Sequence, residues 1–140
     1  MSTDDELEKI RQQKREQIRA QLEGGQPAGE QSRAAPDEPI HVRDAAHLNE
    51  VVDSYDVVLA DFYADWCGPC KMLEPIVQAV ARETPAAVAK VDIDANQAIA
   101  RQNRVQSVPT LFLYADGEPA KRMVGVQDQG TLTSLIQQYS

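Results

Sequence analysis

The order of apolar patterns in this chain predicts an α/β domain: a central mixed five-stranded sheet flanked on both faces by helices, preceded by an N-terminal extension that is helical or disordered. Three observations carry that expectation. Strand-like and helix-like patterns alternate from residue 40 onward, in the order strand, helix, strand, helix, strand, helix, strand, strand, helix. The longest uninterrupted apolar runs, such as residues 57–60 and 111–115, are strand-sized, and the run at 57–64 is almost wholly apolar, as in a strand buried on both faces. The patterned block of residues 40–140 is long enough to bury one core.

Residues 3–23 read as a helix. Thr3 and Glu6 stand in capping-box spacing, acidic residues fill the first turn, and Gly24-Gly25 ends the pattern. Leu7, Ile10, Ile18 and Leu22 fall near one stripe that Lys14 interrupts, and six acidic residues nearly cancel five basic ones in 1–25. Such a helix has little to bury, so it reads as a solvated and dispensable segment; docking on a partner or on another copy is the alternative. The organisation is therefore a charged helix at 1–25, a flexible linker rich in Gly, Pro, Gln, Ser and Ala at 26–39, and a domain at 40–140. Within that domain, 40–43 is a short strand, and Asp44 caps a helix carrying Leu48, Val51 and Val52. The strand at 57–64 leads into a helix with Met72, Leu73, Ile76, Val77 and Val80, which Pro75 is expected to kink. A strand at 87–93, a short helix at 97–103, strands at 110–115 and 121–126 around a turn at Asp116-Gly117, and a helix at 129–139 complete the order.

Composition narrows the function. Of 140 residues, 22 are Asp or Glu and 14 are Lys or Arg, a net charge of −8 that opposes attraction to phosphate backbones, so nucleic acid is excluded as a partner. Five lysines among those bases fit adaptation to high salt, and equally an ordinary cytosolic protein. No apolar run is long enough to span a bilayer, and the acidic start Met1-Ser2-Thr3-Asp4-Asp5-Glu6 lacks the features of a secretory or organellar leader. The expected location is the cytoplasm, where a cysteine pair is more often catalytic or metal-binding than structural.

Both cysteines lie in Asp61-Phe62-Tyr63-Ala64-Asp65-Trp66-Cys67-Gly68-Pro69-Cys70-Lys71, where an apolar strand run turns into a helical pattern. Cysteines three apart on a first helical turn share one face at about 5–6 Å, the separation a disulfide needs. A bridge over so short a loop removes little unfolded-chain entropy, which makes a purely structural staple a poor explanation. A redox dithiol is the better one. At a helix start, free N–H groups and the positive end of the dipole stabilise a thiolate, so Cys67 is the expected nucleophile and Cys70, one turn further in and expected to be more buried, the resolving thiol.

Beyond this core, Asp61 lies six positions before Cys67 and Pro75 five after Cys70, Lys90 sits in the third strand, Val108-Pro109-Thr110 precedes the fourth, and Gly117 and Gly125 fall in the final strand pair. With these features in order, residues 40–140 resemble the thioredoxin family. The resemblance implies the thioredoxin fold and a protein-disulfide reductase cycling between dithiol and disulfide at Cys67 and Cys70. It implies no bound cofactor, a thioredoxin reductase as the recharging partner, client proteins with reducible disulfides, and a monomer. By the same analogy Asp61 is a buried carboxylate whose raised pKa suits a general base taking the Cys70 proton through a water, and Lys90 approaches it and lowers that pKa. Pro109 is implied to be a cis-proline lying against the dithiol, with the Val108 backbone free to pair with an extended client segment. Trp66, Gly68 and Pro69 shape the exposed rim, and Gly125 permits close approach of another chain. Many family members carry tryptophan at the position of Tyr63, so packing behind the site is expected to differ.

Three rival readings share these residues. His41 and His47, in His-x5-His spacing, could formally join Cys67 and Cys70 as zinc ligands, although they fall on a strand and a helix with no evident convergence. A binding platform would not need both cysteines. An oxidase or isomerase would use the same pair, but Gly68-Pro69 between the cysteines resembles the reducing members.

Overall fold

The structure is a computed structural model and describes residues 35–140. The expected helix at 3–23 and most of the linker lie outside the described residues. Strand β1 (Ile40–His41) is followed by α1 (Ala45–Ser54), β2 (Val57–Tyr63), α2 (Gly68–Glu83), β3 (Ala87–Asp92), α3 (Gln97–Gln102), β4 (Thr110–Ala115), β5 (Glu118–Val124) and α4 (Gln129–Tyr139). The five strands form one sheet in the order β1-β3-β2-β4-β5. β3 pairs in parallel with β1 and β2, while β4 pairs antiparallel with β2 and β5, so the expected mixed sheet is present.

Period-two alternation decides which residues meet which helices. Val58, Ala60 and Phe62 of β2 join Ala87, Ala89 and Val91 of β3 in a core with Leu48, Val51 and Val52 of α1 and Ile99 of α3. Val57 and Leu59 face the other way with Val88, Leu111 and Leu113, against Leu73, Val77 and Val80 of α2 and Leu132 and Ile136 of α4. Burying each such aliphatic side chain contributes roughly 1.5–3 kcal/mol. On the first face, the Phe62 and Phe112 rings meet edge to face with centroids 5.4 Å apart.

Helix starts follow the capping chemistry. The Asp44 carboxylate accepts the His47 N–H at 2.8 Å and the Asp128 carboxylate accepts that of Thr131 at 2.7 Å. The Asp128 bond to Thr131 holds that carboxyl below the usual aspartate range. Pro75 lies inside α2, which continues through it as one helix. The last strand differs from the expected 121–126: it begins at Glu118 and ends at Val124. A two-residue turn explains the early start, because Asp116 (φ 54°) and Gly117 (φ 85°) both take left-handed conformations and return the chain at once, pairing Ala115 with Glu118. At Gly117 an added Cβ would also lie 3.4 Å from the Asp53 carboxylate.

Gly117→Ala is therefore expected to lower stability by about 1–2 kcal/mol, the cost of a left-handed alanine. A urea titration of the two proteins measures it; equal midpoints at equal slope would refute the turn assignment.

Candidate active site

Where β2 ends, Ala64 accepts the Cys67 N–H at 3.2 Å and α2 begins. Cys67 is the N-cap of α2, extended at φ −92° and ψ 115°, and its Sγ accepts the Cys70 N–H at 3.1 Å. A sulfur thus occupies the place usually taken by a serine or aspartate oxygen, at the positive end of a 16-residue helix. Cys67 and Cys70 are joined as a disulfide with Cα atoms 5.3 Å apart, within the expected span. The two are equally buried, each 4% exposed, which corrects the expectation that Cys70 lies deeper. Both sit in a small cluster with Ala64, packed by Tyr63, Ile93 and Val108.

The surroundings of the disulfide include an exposed rim. On the rim, Trp66 is 69% exposed and its indole N–H donates to the Asp94 carboxylate at 3.0 Å, while Gly68 and Pro69 are exposed. A Cβ built on Gly68 would meet nothing within 4 Å, so the space beside Gly68 is open. Across the site the Val108–Pro109 peptide is cis, and the Val108 carbonyl oxygen lies 3.6 Å from the Cys67 Sγ. Gly125, just past β5 with φ 96°, donates its N–H to the Pro109 carbonyl at 2.8 Å and ties the strand end to this loop.

The α2 side of the sheet carries buried charge. Alternation along β2 puts Asp61 on the α2 side of the sheet with Val57 and Leu59, and its register partner on β3 is Lys90. Asp61 is 1% exposed, and neither carboxylate oxygen has a hydrogen-bond partner among the described residues. Burial pushes its pKa up to about 7; Lys90 pulls it down and Glu74 pushes it further up. Lys90, at 4% exposure, is no surface lysine. Its Nζ forms an ion pair with Glu74 Oε1 at 3.3 Å and lies 4.2 Å from the centroid of the Tyr63 ring. The aromatic ring at position 63 thus covers the ammonium. Lys90 lowers the Asp61 pKa as expected, but it does so across space, because its ion pair is with Glu74.

Sequence reasoning missed Glu74 and Asp94. Glu74 stands four residues after Cys70, on the same helix face, a spacing that could have flagged it; Asp94 follows β3 with no pattern to mark it. His41 and His47 are not brought to the cysteines. His41 is exposed on β1 and His47 Nδ1 accepts the Arg43 N–H at 3.0 Å, and no group of three potential ligands converges among the described residues.

With this geometry, the comparison with known proteins is decisive: the family model described as Thioredoxin matches residues 38–138. The chain belongs to the thioredoxin family. It is 46% identical over 95 residues to a thioredoxin of Mycobacterium tuberculosis, covering 66% of this chain and 82% of that one. A bifunctional thioredoxin reductase/thioredoxin of Mycobacterium leprae is 43% identical over 95 residues, 66% of this chain and 21% of that much longer protein. Among solved structures, a mutant thioredoxin from Halobacterium salinarum NRC-1 is 55% identical, with a TM-score of 0.74 over 77% of this chain and 96% of the other. This family member is a thiol-disulfide oxidoreductase, and its redox group is its own Cys67–Cys70 pair.

The stability of the protein should register the buried carboxyl. The unfolded chain releases the Asp61 proton near 3.8, whereas the fold holds it to about 7, so folding takes up a proton between those values. Stability falls as pH rises through that window, by roughly 4 kcal/mol in all, and is flat above it. In urea titrations at pH 4 and pH 8, Asp61→Asn should gain a few kcal/mol on the parent between the two; a pH-independent difference would contradict the assignment.

Proposed function

We propose that the protein reduces client disulfides by a two-step exchange in which Cys67 attacks and Cys70 resolves. The observation that carries this reading is the sulfur cap of α2. In the reduced protein, the Cys67 thiolate faces the amide of Cys70 and the free N–H end of the helix, which favours the charged form of Cys67. That thiolate attacks one sulfur of the client disulfide; the client S–S bond breaks, a client thiolate leaves, and a Cys67–client mixed disulfide remains. Asp61 then takes the Cys70 proton through a water, and the Cys70 thiolate attacks Cys67 Sγ. The second client thiolate departs and protonates, leaving the client reduced by two electrons and the Cys67–Cys70 disulfide formed.

A base for this step must be ionisable near neutrality, which fits a buried carboxyl with a pKa of about 7. Lys90 tunes that carboxyl rather than touching the reacting sulfurs. Client segments dock on Trp66, Gly68, Pro69, Val108, Pro109 and Gly125, with an extended strand pairing along the Val108 backbone. The open space before Gly68 supports that approach.

A thioredoxin reductase returns electrons to the disulfide, a pairing supported by the relative that is named as both proteins. The activity resides in residues 40–140, acting as a monomer in the cytoplasm, and no described helix is long and apolar enough to cross a membrane.

Reduction of insulin disulfides with dithiothreitol as electron source tests the reading. The parent should turn over rapidly and Cys67→Ser should fall to the dithiothreitol background. Asp61→Asn should lose at least about tenfold at pH 7, together with the rise in rate that the parent shows through that pH. Undiminished turnover by Cys67→Ser would remove Cys67 as nucleophile, and an unchanged pH profile in Asp61→Asn would remove Asp61 as base.

A further inference from the structure

One buried ammonium has a carboxylate on the neighbouring strand and another on the helix packed against the sheet, and the helix carboxylate holds it. Lys90 and Asp61 are register partners on adjacent parallel strands, on the same face of the sheet. The Lys90 Nζ is nevertheless 3.3 Å from Glu74 on α2, while both Asp61 oxygens are left without a partner among the described residues. Glu74 can hold that position because of its site on the helix. Leu73 beside it is wholly buried in the core and fixes the rotation of α2, which brings Glu74 over β3. Its half-exposed carboxylate lies at a polar cleft of about 480 Å³, also lined by His41, Gln78, Arg82 and Lys90, which admits water to that charge. Asp61 is not among the residues that line this cleft.

We propose that Glu74 is a positioning residue for the site: it holds the Lys90 ammonium toward the cleft and withholds it from Asp61. The consequence for turnover rests on the reading of Asp61 as base. The buried carboxyl is kept from forming a closed ion pair with its strand neighbour, which would leave it permanently ionised and a weak proton acceptor. Lys90 lowers the Asp61 pKa and Glu74 raises it by direct repulsion, an effect that the Lys90→Gln background below separates from withholding.

Other titratable groups nearby do not take this role: Asp37, Glu38 and Arg82 line the same cleft, and among the described residues the ion pair of Lys90 is with Glu74. Tyr63, on the same strand as Asp61, has its phenol pKa raised by burial and by Asp92, Asp65, Glu74 and Asp61, so it stays neutral through the relevant range. His41 pairs with Lys90 by register on β1, the side away from β2. On β4 the register partner of Asp61 is Leu111, which carries no charge, and the cysteines do not titrate while bridged.

The test follows the Asp61 carboxyl carbon by 13C NMR through a pH titration of the full chain in its disulfide form, with the signal assigned from Asp61→Asn. In Glu74→Gln the ammonium is released toward Asp61, and the midpoint should fall by about one pH unit. In a Lys90→Gln background the same substitution should shift the midpoint far less, because the withheld cation is gone. An unchanged midpoint in Glu74→Gln would overturn the proposal. A shift of full size in the Lys90→Gln background would overturn it too, by showing direct repulsion in place of withholding. The titration reads Asp61 itself and involves no turnover, so it stands or falls separately from the insulin assay that tests Asp61 as base.

Discussion

The sulfur cap of α2 is the interaction on which the rest of this structure depends. A helix must satisfy the N–H groups of its first turn, and here the residue that does so is also the residue the redox pair is built from. Its position is set from below. β2 ends at Tyr63, Ala64 turns the chain, and Leu73, Val77 and Val80 fix α2 against the sheet face shared with α4. The packing of an apolar helix thus aims a sulfur at the open rim. Cys70, three residues on, falls on the same helix face and can bridge back without any displacement of the fold.

Beneath that cap, stability and chemistry pull in opposite directions. A carboxyl in the central strand without a hydrogen-bond partner is a cost that a purely structural core would avoid, and an apolar side chain there would pack at no such penalty. The Lys90–Glu74 ion pair satisfies the buried ammonium and leaves both Asp61 oxygens without a partner among the described residues, so it does not remove that cost. A buried carboxyl with a raised pKa breaks a local rule of folding, which is the pattern that supports reading Asp61 as a working residue.

Much of this was legible in the chain. The almost wholly apolar run of β2, buried on both faces, the cap at Asp44 and the Asp116-Gly117 turn each rest on a local rule, and each stands in the structure as expected. The start of β5 was not legible. Its residues are exposed or half-exposed throughout, so no apolar alternation marks it, and Pro119 argues against a strand. At the site, Cys67, Cys70, Asp61 and Pro109 could be singled out from motif and spacing, and Asp61 and Lys90 could be placed side by side. What spacing could not give was the partner Lys90 takes. That choice depends on the rotation of α2 over β3, a tertiary fact that brings Glu74 from sixteen residues upstream to within 3.3 Å.

Because Cys67 and Cys70 are equally buried, exposure cannot make one the nucleophile; only their positions on α2 can. The most direct measurement is the pH dependence of iodoacetamide alkylation in the reduced protein, with the modified cysteine identified by peptide mass spectrometry. The sulfur cap predicts that Cys67 is modified first, that it reacts readily at pH 7, and that Cys70 remains unmodified under the same conditions. Equal modification of both thiols, or modification of Cys70 first, would contradict it.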